Sequence, residues 1–221
     1  MKLHALVTAW AAALLSSGVA FAQAPPPATE AGLPQLALTN IPAKGGAKLT
    51  VTSPAFQHGA DIPFENTQYR GNRFPGLQWT AGPAGTRSYA IIMQDTDAVV
   101  RGGPILHWTM FNISGTSLEA GMTTAPAPAA HGPNIRGANQ PYMGPRTPAG
   151  PKHRYHLQVF ALDTTLAPDA GATYDTLVAA MKDHVLASGE VIGLGQVDPN
   201  APPPAPRGGP PAGGQAPPPG R

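Results

Sequence analysis

The chain has no cysteine anywhere in its 221 residues. That absence excludes disulfides, a thiolate metal site, a cysteine nucleophile and a lipid-modified N-terminal cysteine. Catalytic signatures are missing as well: there is no G-x-S-x-G elbow, no H-E-x-x-H pair and no P-loop. No internal repeat points to a solenoid. The basic sequence pI of about 9.0 invites a nucleic-acid reading, yet Lys2, Arg207 and Arg221 lie in the terminal extensions. Eleven basic residues then stand against twelve acidic ones. A near-neutral body has no dense basic face to track phosphates along a duplex, so no nucleic-acid partner is expected.

What is present begins with an export signal. Residues 1–22 carry Lys2, an apolar stretch from Ala5 to Leu15 and a small-residue cleavage pattern, Ala20-Phe21-Ala22. The mature chain is expected to start near Gln23. The apolar stretch is too short to span a bilayer comfortably, so no integral membrane segment is expected after cleavage. The protein is read as exported, either periplasmic or secreted. Residues 23–35 form a Pro/Ala-rich leader, and residues 198–221 a Pro/Gly-rich tail with nothing to build a core. Residues 36–197 are expected to fold as one unit, with both ends dispensable.

Within that unit, short apolar runs alternate with Gly, Pro and Asn, which predicts an all-β domain. Residues 48–52 make a short strand candidate. The run SYAIIMQ at 88–94 is apolar enough to be buried on both faces. Residues 105–113 form another strand, with His107 sharing a face with Ile105, Thr109 and Phe111. In HRYHLQVFAL at 153–162, Tyr155, Leu157, Val159 and Ala161 alternate with Arg154, His156 and Gln158. One helix is expected, capped by Thr173 and carrying Tyr174, Leu177, Val178, Met181 and Val185 at helical spacing until Gly189 ends it. A last strand is expected over residues 190–197. The Gly/Pro segments 56–75 and 123–151 are too long for hairpin loops.

Titratable residues interrupt these apolar strands. Asp95 and Asp97 close the run at 88–94, His107 sits beside Trp108, and His153 opens the alternating strand next to Arg154 and Tyr155. Such residues gather where a chain binds or transforms polar ligands, although each alone is also an ordinary turn or core residue. His58, His131, His156 and His184 are read as structural.

The residues SYAIIMQDTDA from 88 onward, followed by His107-Trp108, resemble one signature of the phosphatidylethanolamine-binding proteins. Tyr142-Met-Gly144-Pro145-Arg-Thr-Pro148-Ala-Gly150-Pro-Lys-His153-Arg154-Tyr155 resembles the other. Smaller matches stand at Ser53-Pro54-Ala55-Phe56, Ile62-Pro63, Pro75-Gly-Leu77-Gln-Trp79 and Pro83-Ala-Gly85-Thr86, and the bacterial, Raf-kinase-inhibitor-like branch is the nearest in pattern. Two family prolines are replaced, by Thr96 and Val99, which bears on the shape of the pocket rim. The resemblance implies a β-sandwich of two antiparallel sheets with a small C-terminal helix. It also implies a pocket for a phosphate- or phosphorylethanolamine-like ligand lined by Asp95, Asp97, His107, Gly144, Pro145, His153 and Tyr155. The expected partner is therefore a small anionic or zwitterionic molecule. No cofactor, metal or catalytic residue is expected, and an inhibitory or regulatory role is open. Two alternatives remain at this point: a hydrolase using the same Asp/His group, and an envelope interaction protein working through its Pro-rich tail.

Overall fold

The computed structural model describes residues 28–167 and 171–201, so the expected signal peptide and nearly all of the tail lie outside the described residues. A 3-10 turn at Leu33–Gln35 and the single helical turn α1 (Ala37–Asn40) lead into β1 (Ala47–Lys48), β2 (Val51–Thr52) and β3 (Leu77–Trp79). The long strands β4 (Ser88–Val100) and β5 (Gly103–Ile113) follow, then β6 (Ser117–Leu118), β7 (Ala130–His131) and β8 (His153–Leu162). Helix α2 (Tyr174–Met181) and strand β9 (Val185–Gly195) complete the domain. Six strands form one sheet in the order β1-β9-β8-β4-β5-β7, and three form a second in the order β2-β3-β6. The protein is thus mostly β, in two sheets with few helices.

The apolar run in β4 is explained by its central place, with a core on each face. Tyr89, Ile91 and Met93 pack with Leu77, Trp79 and Leu118 of the small sheet. Their neighbours Ala90 and Ile92 pack with Ile41, Leu177 and Met181 on the helical side. Burial of each large apolar side chain contributes about 1.5–3 kcal/mol, so both cores hold this strand in register.

Several expectations need correction. The large sheet is mixed, because β1 pairs with β9 in parallel. Residues 48–52 are not one strand: β1 joins the large sheet and β2 the small one. Strand β4 runs past Gln94 to Val100, so Asp95 and Asp97 lie inside it. Ladder bonding to β8 carries the chain on through the pair Asp95↔Tyr155. Helix α2 is capped by Thr173 as expected, in a reciprocal box with Thr176, but it stops at Met181. Val185 already belongs to β9, which begins five residues before the expected strand. Gly189 is no helix stop. It lies within β9 where the chain crosses closely, and a Cβ there would run into the Leu49 carbonyl.

The borders of the unit also move outward. The Glu30 amide donates to Asp97 Oδ1 at 2.8 Å, and the Gly32 amide to the Thr96 carbonyl at 2.8 Å. Farther along, the Ala37 amide reaches Gln94 Oε1 at 2.9 Å and the Leu38 amide reaches Gln158 Oε1 at 2.8 Å. Gln94 and Gln158 are both buried, so residues 28–38 satisfy polar groups that would otherwise be stranded in the core. The leader is therefore structural from residue 28 onward. At the other end Asp198 is buried and bound by Arg70.

Candidate functional site

Three strands bring the site together. Register pairs Asp95 on β4 with Tyr155 on β8, and His153 stands two residues before Tyr155 on the same face. His107 arrives by a different route. The β4–β5 ladder pairs Met93 with Trp108 but Gln94 with Leu106, which leaves His107 as the extra residue of a bulge. Strict alternation puts His107 with Thr109 and Phe111, on the helical side. The bulge instead turns it toward Tyr155, whose ring it meets edge-on at 5.0 Å between centroids.

The carboxylate of Asp95 organises the group. Its Oδ2 accepts from His153 Nδ1 at 2.9 Å, and its Oδ1 accepts the amides of Asp97 and Ala98 at 3.0 and 3.2 Å. Tyr155 donates or accepts at Thr147 Oγ1 over 2.9 Å and lies in hydrogen-bonding reach of Asp95. His107 Nδ1 lies 3.0 Å from the Met143 carbonyl, with the Gly144 carbonyl beside it. Asp95, His107 and Tyr155 are buried, whereas His153 keeps 13 % of its side chain exposed.

The Met143–Pro145 wall is held by an outer layer that the sequence reading missed. Asn72 accepts the Gly144 amide at 2.7 Å and donates to the Tyr142 carbonyl at 2.8 Å. Gln68 donates to the Gly144 carbonyl at 2.7 Å through its side chain, and to the Pro145 carbonyl at 2.9 Å through its backbone. A Cβ on Gly144 would collide with the Asn66 carbonyl, so only glycine lets the two loops lie this close. Two cations stand on this wall. Arg136 donates to Gln68 Oε1 at 2.8 Å, and Arg146 lies over the Tyr69 ring at 5.3 Å. Polar residues in Gly/Pro loops carry no periodicity, so only the unusual length of both loops pointed this way.

Asp97 behaves differently from the rest. Its carboxylate takes the Arg154 amide at 2.7 Å, the Arg154 guanidinium at 3.0 Å and the Glu30 amide. Those bonds occupy it, so it contributes field rather than a free acceptor. Among the described residues the other histidines have partners: His156 lies between Thr96 and Glu190, His184 meets Asp163, His131 accepts from Trp108, and His58 accepts from the Ile192 amide. A recess of about 710 Å³ opens on the helical side around Gln94, Leu106 and Tyr174, and none of the sequence-derived site residues lines it. Among the described residues no group of three or more His, Asp or Glu is placed to hold a metal ion.

The two site imidazoles are biased in opposite directions. The hydrogen bond that His153 donates to Asp95 raises the His153 pKa, helped by the charges of Asp95 and Asp97 and opposed by desolvation. Burial pushes His107 down, with Arg136 adding to the effect, against Asp95 and the carbonyls of Met143 and Gly144. A histidine held up stabilises the fold fully below its unfolded value of about 6.5 and loses that contribution as pH rises through its folded value. A histidine held down does the reverse, costing stability as pH falls from about 6.5 toward its folded value; His131, also pushed down by burial, acts in the same direction. Ring titrations followed by NMR should therefore place His153 above and His107 below the ordinary histidine value of about 6.5.

Comparison with known proteins agrees with this architecture. The family model described as phosphatidylethanolamine-binding protein matches residues 52–196. A UPF0098 protein of Methanothermobacter thermautotrophicus is 34% identical over 151 residues, covering 66% of this chain and 97% of that one. A Mycobacterium tuberculosis protein named as a lipoprotein, LppC, is 36% identical over 133 residues, covering 60% of this chain and 64% of that one. Among solved structures, a phosphatidylethanolamine-binding protein homologue from Chlamydia trachomatis superposes with a TM-score of 0.61 at 31% identity, covering 68% of this chain and 99% of that one.

Proposed function

Because the chain belongs to the phosphatidylethanolamine-binding protein family, we propose that it is an exported binding protein for a small phosphate-type anion or phospholipid head group, held at Asp95, His107, His153 and Tyr155. The observation that carries this reading is the convergence of two imidazoles and a buried carboxylate, from three strands, beside a wall bearing Arg136 and Arg146. Open imidazole nitrogens and nearby guanidinium cations suit an oxyanion. Asp97 and Asp95 add the opposite charge that an ammonium group of a zwitterion would meet.

The chemistry of the group supports binding rather than catalysis. Its two hydroxyls, Thr147 and Tyr155, are buried and bonded to one another, and burial raises the Tyr155 phenol far from ionisation. Neither is placed as an activated nucleophile. Export rests on the signal-like residues 1–22, and the Mycobacterium tuberculosis relative named as a lipoprotein is in keeping with it. The expected result is that His107→Ala and His153→Ala each weaken inorganic phosphate or phosphorylethanolamine binding by about 1.5–3 kcal/mol, the value of a hydrogen bond to a charged group. Titration calorimetry on folded variants checks it, and unchanged affinity in both would return these histidines to a structural role.

A further inference from the structure

Both site imidazoles have a committed Nδ1 and an open Nε2. His153 Nδ1 faces a carboxylate and His107 Nδ1 faces a carbonyl. Both partners accept and cannot donate, so each Nδ1 carries the hydrogen. Among the described residues no protein hydrogen bond is made to Nε2 of either ring. What each Nε2 can do depends on whether its ring is charged. His153 donates through Nδ1 to the Asp95 carboxylate at 2.9 Å with Asp97 close by, which favours the charged ring, and the Nε2 of a charged ring donates. The groups facing His107 are the Asp95 carboxylate, the Arg136 guanidinium, the Met143 and Gly144 carbonyls and the Tyr155 ring. Burial there favours the neutral ring, and with its hydrogen on Nδ1 the Nε2 of a neutral ring can only accept.

Resting on the binding role proposed above, the geometry points to a ligand that brings an acceptor for His153 and a donor for His107: an oxyanion that still carries a proton, either hydrogen phosphate or a singly ionised phosphate monoester. Sulfate has the same tetrahedral shape and at least as much charge, but near neutral pH it has no proton to donate. Against it the His107 lone pair would face an oxygen lone pair in a buried setting, where an unmade hydrogen bond is costly. A buried site built to receive a hydrogen bond rejects the analogue that lacks the donor. A lipid phosphodiester has no P–OH either, so the fitting class is free phosphate or a monoester rather than an intact lipid.

The test is calorimetry on the full mature chain at pH 7 and constant ionic strength, using phosphate and arsenate against sulfate and selenate. The inference expects the protonated pair to bind at least tenfold more tightly than the unprotonated pair. In His107→Gln, whose amide can donate as well as accept, sulfate should gain and the preference should shrink. If that variant does not fold, the four-anion comparison on the natural chain decides alone. Phosphorylethanolamine should tighten as pH falls through about 6, where a monoester takes up its second proton, and glycerophosphorylethanolamine, a diester, should not. Sulfate run at each pH reports any change due to His153 itself. Equal affinity for phosphate and sulfate, or a diester that binds as well as the monoester, overturns the inference while leaving anion binding intact. Binding of none of these anions overturns the underlying function as well.

Discussion

Asp95→Ala is expected to lower unfolding free energy by about 3–5 kcal/mol, the usual cost of removing one member of a buried ion pair. At roughly 2–4 °C of melting midpoint per kcal/mol for a domain of this size, the drop is on the order of 10 °C. The reason lies in what one carboxylate satisfies. It holds His153 and accepts the amides of Asp97 and Ala98, all in a place where Asp95 is 2 % exposed. Alanine leaves those two amides without their acceptor and removes the charge that favours the protonated form of His153. Phosphate binding should fall with it. Asp95→Asn is the informative companion, because it keeps an acceptor and the shape while removing the charge. Thermal melts should show a smaller loss for asparagine than for alanine, and NMR should show the His153 titration moving down in both. A midpoint unchanged in Asp95→Ala would mean that the carboxylate does not organise the site.

Deleting residues 28–38 is expected to cost roughly 3–6 kcal/mol, although composition alone marks most of this stretch as a dispensable leader. Leu36 is 3 % exposed and Ala37 fully buried, and burial of a leucine alone contributes about 1.5–3 kcal/mol. The Ala37 and Leu38 amides also cap Gln94 and Gln158, and each buried acceptor left without a partner costs about 1–3 kcal/mol. Gln94 keeps a bond from Gln158 Nε2 at 2.9 Å, which limits the loss. Denaturant unfolding of the shortened and full mature chains gives the comparison directly. Equal midpoints would show that the segment lies on the sheet without stabilising it.

The central strands were legible because their side chains alternate between two cores. Tyr155, Leu157, Val159 and Ala161 face one core as the alternation in β8 requires, and the expected bounds of that strand agree with the structure. The pairing of His153 with Asp95 was not readable from spacing, yet both residues stood out as polar groups interrupting apolar runs. What the pattern could not carry was any break in the period. His107 faces Tyr155 only because a bulge adds a residue to β5, and alternation had put it on the other side of the sheet. Gly189 was misread because glycine ends helices and also permits close crossings, and only the neighbouring Leu49 distinguishes the two uses. Asp97 matched a family position but spends its oxygens on Arg154 and Glu30. Asn72, Gln68 and Arg136 lay in loops whose geometry depends on contacts far along the chain, beyond any local rule.

The central claim is that His107 and His153 belong to one anion site, and histidine-ring nitrogen NMR during a phosphate titration tests it most directly. The account predicts that the signals of His107 and His153 move together along a single binding curve, while those of His184 and His58, engaged elsewhere on the surface, stay in place. Signals of the two site histidines that stay fixed at saturating phosphate, or that shift no more than His184 and His58, would contradict it.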